Sequence, residues 1–159
     1  MNKTLKNLLK DVIEIEINGI KSISDSLEKT LGTDLLNTIE KIKSIKGNVI
    51  FCGLGKSGHI ANKISATMTS TGTPSIFLHA SEANHGDLGI IRKDDLLFLI
   101  SNSGETNELK NIIRYAKNNQ VEVISLTSNE KSFISTNSNL SITLPIHQEA
   151  YQNSLAPMT

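Results

Sequence analysis

Residues 49–106 read VIFCGLGKSGHIANKISATMTSTGTPSIFLHASEANHGDLGIIRKDDLLFLISNSGET. Three short apolar runs, Val49–Cys52, Ser75–His79 and Leu96–Ile100, stand in this stretch without polar alternation. Continuous runs of that length are the signature of strands covered on both faces. Two more follow, Val121–Leu126 and Leu140–Ile146, and helical or polar stretches separate all five. Short buried strands alternating with helices imply a parallel sheet joined by right-handed crossovers. The expected fold is therefore α/β, a five-stranded parallel sheet in a doubly wound domain.

Upstream the period changes. Leu5, Leu9, Val12, Ile13, Ile17, Ile20, Ile23 and Leu27 recur at helical spacing and predict a long amphipathic helix. Leu35, Leu36, Ile39 and Ile42 predict a second over 35–45, with Gly47 as its C-terminal cap. The expected organisation is N-terminal helices over 1–46 and a sheet domain over 47–159. The 159 residues suffice for one domain. A chain of this length buries about 70% of the surface its unfolded form exposes, so the core needs no disulfide, and the lone Cys52 could not form an internal one. Sixteen basic residues balance sixteen acidic ones without blocks, which argues against nucleic-acid and polybasic membrane partners. No apolar run approaches the roughly 18 residues of a membrane span, and the N-terminus is too acidic and regular for a signal peptide. The composition reads as soluble and cytoplasmic, with a small partner.

In such sheets a ligand sits at the carboxyl ends of the strands, where turns meet helix N-termini. Seven of the ten glycines and three of the four histidines lie between residues 53 and 104. Gly53-Leu54-Gly55-Lys56-Ser57-Gly58 has the spacing of a dinucleotide fingerprint, but the second strand closes on His79-Ala80-Ser81 rather than on an acidic residue. A phosphate-binding P-loop fails too, because no glycine stands where its first one belongs. What survives is an anion approached by backbone at a helix start, with Lys56 and Ser57 beside it, against the plainer reading of a tight turn needing glycine for geometry. Ser101-Asn102-Ser103-Gly104-Glu105-Thr106 discriminates better: three hydroxyls and an amide crowd one helix start, more donors than a cap uses. Hydroxyls and backbone N–H groups suit a phosphate monoester. Two such turns predict a small phosphorylated metabolite lying across the sheet.

From about residue 47 onward the chain resembles the sugar isomerase (SIS) domain, specifically the arabinose-5-phosphate isomerases that feed synthesis of the eight-carbon sugar Kdo. GKSGHI, STGTPS, EANHGDLG and SNSGE carry the resemblance, with Gln148-Glu149-Ala150 and Leu155-Ala156-Pro157 near the end. It implies a flavodoxin-like three-layer αβα fold and interconversion of D-ribulose 5-phosphate and D-arabinose 5-phosphate. By matching positions, Ser57, Ser101, Ser103 and Thr106 clamp the phosphate beside Gly55. Gly72 and Thr73 line the sugar, Lys56, Glu108 and Glu149 are catalytically relevant, and His85 contacts substrate. The resemblance implies no required cofactor, a homotetramer with sites built between subunits, and an inhibitory divalent metal at His79.

A base that shuttles one proton between adjacent carbons needs a pKa lifted by burial. That favours Glu149 over Glu108, which lies a turn into a helix whose dipole favours ionisation. Lys56 or His85 would polarise the carbonyl. His79, near Glu82 and His85, could join a transition-metal site, although a strand-capping histidine is the commoner case. Cys52 reads as a small buried apolar residue, His59 as a packing or capping residue within a helix, and His147 carries no reading. Relatives with these motifs continue into a Ser/Thr-rich helix, a Ser-His-Pro-Gly-Gly stretch with a catalytic histidine, and often paired cystathionine β-synthase modules. The expectation is of a SIS part alone, incomplete at its C-terminus. The competing hypothesis is a non-catalytic sugar-phosphate sensor or inactive fragment, since SIS domains also serve in transcription regulators.

Overall fold

The structure, a computed structural model, describes residues 2–146. The first apolar stripe becomes α1 (Asn2–Leu27) and the second α2 (Thr30–Ser44). The strands are β1 (Val49–Gly53), β2 (Ser75–His79), β3 (Leu96–Ile100), β4 (Glu122–Thr127) and β5 (Leu140–Thr143). Between them run α3 (Gly55–Ser70), α4 (Ala80–Asn84), a 3₁₀ turn (Asp87–Ile90), α5 (Asn107–Asn118) and α6 (Phe133–Asn137). All four strand pairings are parallel, in the order β2-β1-β3-β4-β5. This is the expected α/β sheet.

Every residue of β1 and β3 is buried, as their unbroken apolar runs require. Ile50, Cys52, Leu97 and Leu99 join Ala80 and Ala83 of α4, Ile112 and Ile113 of α5 and Ile134 of α6 in one core. Each large apolar side chain removed from water there contributes about 1.5–3 kcal/mol. Phe51 and Phe98 are register partners whose rings tilt against each other at 5.0 Å. Right-handed crossovers run from β1 to β2 in one direction and from β3 to β4 in the other, so α3 and α5 cover opposite faces. At the amino ends, buried Asp95 accepts from the N–H groups of Asn48 (2.7 Å) and Arg92 (2.8 Å), tying β1 to β3.

The boundaries differ from the sequence reading in places. Val121 precedes β4 because its N–H bonds the Ala116 carbonyl (2.9 Å), still closing α5. β5 stops at Thr143, two residues before Pro145, which cannot donate to a ladder. Gly47 does not cap α2, which ends at Ser44; its N–H bonds the Asp94 carbonyl instead (3.0 Å). The short helices α4 and α6 lack the length for a periodic signal. The domain edge also moves: Asp34–Leu144 form one compact unit containing the whole sheet, while α1 and the first residues of α2 belong to another. The division falls inside α2 rather than at residue 46. Along α1, Leu5, Leu8, Leu9, Ile13, Ile17, Ile20 and Leu27 are exposed, at 44–63%. No helix among the described residues is long and apolar enough to cross a membrane.

Candidate active site

The chain leaves β1 toward one side of the sheet and β3 toward the other, so the strand order reverses between them. In doubly wound sheets that reversal opens the ligand crevice at the carboxyl ends. Gly53 and Ile100, the last residues of β1 and β3, are register partners, with His79 paired to Gly53 on its other side. The two motif turns therefore leave the sheet from adjacent positions.

The first turn enters α3 directly. A Cβ on Gly53 would fall 2.9 Å from the backbone of Ser57, so glycine lets the helix start press against the strand. The geometric reading of this glycine is thus correct as far as it goes. Leu54 stands at the N-cap position and no side chain caps the helix there, which leaves the helix start available to an anion. Gly55 opens α3; exposed Lys56 and half-buried Ser57 follow in its first turn.

The second turn folds on itself. Ser101, only 4% exposed, places its Oγ 2.9 Å from Thr106 Oγ1 and accepts from the Gly104 N–H (3.1 Å). Ser103 Oγ accepts from the Glu105 N–H (3.3 Å). Thr106 occupies the N-cap of α5, yet its hydroxyl does not cap that helix. Two helix starts without side-chain caps, each with hydroxyls beside it, thus flank one crevice.

Glu108, half-buried, lies in the first turn of α5, and exposed His85 ends α4 after β2. Asn84 joins these elements: its amide N–H groups donate to the carbonyls of Ala80 (2.8 Å) and Glu108 (3.2 Å), and its oxygen accepts from Asn111 (3.1 Å). Sequence reasoning missed Asn84, although it stands inside the EANHGDLG motif. It also gave no role to Glu105, whose carboxylate pairs with Lys110 (3.0 Å) and accepts from the Phe133 N–H (2.7 Å). Lys110 and that N–H hold the Glu105 carboxyl below the usual carboxylate range.

Gly72 and Thr73 do not join the cluster. They precede β2, at the amino edge of the sheet, whereas the other site residues leave its carboxyl edge, a strand length away. Within one chain they cannot line the same crevice. Glu149 and His147 lie outside the described residues. His79 ends β2 with a buried Nδ1 that has no hydrogen-bond partner among the described residues, beside a cleft also lined by Glu82 and Asp87. Among the described residues no group of three or more His, Cys, Asp or Glu is placed to hold a metal ion. Burial pushes the Cys52 thiol up to about 12, so it is inert inside β1.

Fold and site together define a doubly wound domain with two helix starts that carry no side-chain cap at its switch point. Residues 41–159 match the SIS domain, and the chain belongs to that family. It is 44% identical over 141 residues to the arabinose 5-phosphate isomerase KpsF of Escherichia coli O6:H1 (strain CFT073), covering 89% of this chain and 42% of that protein. It is 38% identical over 147 residues to the arabinose 5-phosphate isomerase KdsD of Francisella tularensis, covering 92% and 45%. The solved structure of an E. coli CFT073 protein, c3406, in complex with arabinose 5-phosphate superposes with a TM-score of 0.87 at 40% identity, covering 99% of this chain and 81% of that one. The chain spans less than half the length of the two isomerases.

Proposed function

We propose that the chain is the sugar-phosphate-binding part of a cytoplasmic aldose–ketose isomerase. It would interconvert D-arabinose 5-phosphate and D-ribulose 5-phosphate on the route to Kdo for lipopolysaccharide or capsule. The observation that carries this reading is the pair of uncapped, hydroxyl-flanked helix starts on either side of the β1–β3 switch point. Backbone N–H groups at the two helix starts, with Gly55, Ser57, Ser101, Ser103 and Thr106 around them, hold the phosphate dianion without a basic cluster. A formal net charge of zero fits that mode of binding.

With the phosphate anchored, the base takes the C2 proton of the aldose and returns it to C1, while the C2 hydroxyl proton passes to O1. The step moves protons only and needs no cofactor. Glu149 is the proposed base. Lys56 or His85 stabilises the negative oxygen of the enediolate, and Glu108, in the first turn of α5, is the further catalytic carboxylate. Gly72 and Thr73 reach the sugar only from a second copy, which accords with a homotetramer and with the exposed apolar stripe of α1. A metal at His79 would act as an inhibitor, occupying the cleft beside the site.

Incubation with D-arabinose 5-phosphate, following D-ribulose 5-phosphate, tests the reading. Turnover that disappears in Glu149→Gln while sugar-phosphate binding persists supports it. Turnover surviving in that variant removes Glu149 as base, and wild-type binding without turnover favours a sensor.

A further inference from the structure

The turn after β3 is held from outside as well as from within. The Asn102 carbonyl accepts from the Ser128 N–H (3.0 Å) and from Thr127 Oγ1 (3.0 Å), and its side-chain oxygen accepts from Ser128 Oγ (2.6 Å). The Gly104 carbonyl accepts from the Ile134 N–H (3.1 Å). Glu105 reaches furthest, with one carboxylate oxygen on the Phe133 N–H (2.7 Å) and the other on Lys110 Nζ (3.0 Å). Lys110 also lies 5.4 Å over the Phe133 ring. Residues 102, 104 and 105 thus bind the end of β4 and the segment after it, whereas among the described residues the hydroxyls of Ser101, Ser103 and Thr106 bond within the turn.

A carboxylate in a phosphate-binding turn would ordinarily repel the ligand. Here it is directed at a cation and a helix-start N–H on the far side, which removes that conflict and uses the charge as a brace. Resting on the isomerase site described above, we propose that Glu105 is a positioning residue. It ties residues 101–106 to α5 and α6, and so sets affinity for the phosphoryl group without contacting it. The lowered pKa of Glu105 agrees, because a carboxyl engaged this way stays ionised throughout the working range.

The test compares the intact wild-type protein with Glu105→Ala, Glu105→Gln, Phe133→Pro and Phe133→Ala. Calorimetric titration with D-arabinose 5-phosphate and with inorganic phosphate gives Kd, and turnover gives KM and kcat. Glu105→Ala should raise Kd and KM about five- to tenfold with kcat changed less than about twofold. Glu105→Gln should recover part of the loss, since its amide oxygen still accepts from the Phe133 N–H. Proline is tolerated at the first position of a helix, so Phe133→Pro removes that N–H and should reproduce Glu105→Ala. Phe133→Ala keeps the N–H and should bind the sugar phosphate more tightly than Phe133→Pro. If Glu105→Ala does not fold, Glu105→Gln and Lys110→Met carry the same comparison. Wild-type binding with Kd unchanged in the Glu105 variants, or kcat falling at constant KM, overturns the brace alone. A wild type that binds neither probe overturns the site reading, and the brace with it.

Discussion

Ser101 Oγ and Thr106 Oγ1 lie 2.9 Å apart across the turn after β3, so the two hydroxyls at its ends hold each other and leave the start of α5 uncapped. Ser101 also accepts from the Gly104 N–H inside the turn. Removing its hydroxyl therefore strands a buried donor. Ser101→Ala should destabilise the protein by about 1–3 kcal/mol in urea unfolding. It should also raise KM for D-arabinose 5-phosphate more than it lowers kcat. A variant with wild-type KM would detach this hydroxyl from phosphate binding.

Gly104 has φ +69, and a Cβ there would fall 2.1 Å from Ser132 Oγ and 2.9 Å from Thr127 Oγ1. Gly104→Ala combines a left-handed backbone with a clash against two buried residues. It should cost at least about 2 kcal/mol by chemical denaturation. An unchanged midpoint would mean that the turn relaxes away from β4 freely.

Glu105 makes stability depend on acid. Its carboxyl is held below the usual range by Lys110 and by the Phe133 N–H, so the folded state releases its proton more readily than the unfolded chain. That contribution is complete above the unfolded pKa and is lost as pH falls through the lower folded value. Between about pH 5 and about pH 3 the wild type should therefore lose melting temperature faster than Glu105→Gln. Parallel curves for the two proteins would remove the carboxylate from the balance.

Cys52, fully buried in β1 with its thiol pushed up to about 12, should resist maleimide at pH 8 in the native protein and react promptly in urea. Cys52→Ser buries a hydroxyl in the apolar core and should cost about 1–3 kcal/mol, more than Cys52→Ala would if packing volume alone mattered. Fast native labelling would contradict the packing of β1.

The stripe on α1 bears on assembly. Ile13 and Ile20 are 56% and 63% exposed, and charges placed there should lower the oligomeric state measured by light scattering. Ile13→Asp combined with Ile20→Asp is the variant of choice. An unaltered mass would move the subunit contacts elsewhere.

Much of this architecture was legible in the residues. β3 falls where its apolar run begins and ends, because a strand buried on both faces admits few polar residues; β2 also falls on its run, although as an edge strand it is mostly half-buried. The turns after β1 and β3 were equally visible, since glycines and hydroxyls concentrate where a backbone must approach a ligand. α6 and the end of β5 were not: a five-residue helix has no period, and Leu144 and Ile146 are apolar whether or not they pair in a ladder.

The sequence alone determined a parallel α/β sheet, the two motif turns, and the glycines and hydroxyls that crowd them, because burial and turn chemistry are written locally. Tertiary structure decided which residues meet. Strand order put Gly53 beside Ile100, so that two turns separated along the chain flank one crevice. The same order sent Gly72 and Thr73 to the opposite edge, a strand length from the other motif residues. It also turned Glu105 toward Phe133, a residue whose distance in the chain hides their contact. Such pairings depend on how crossovers stack strands and helices, a property of the folded chain that no single stretch of residues encodes.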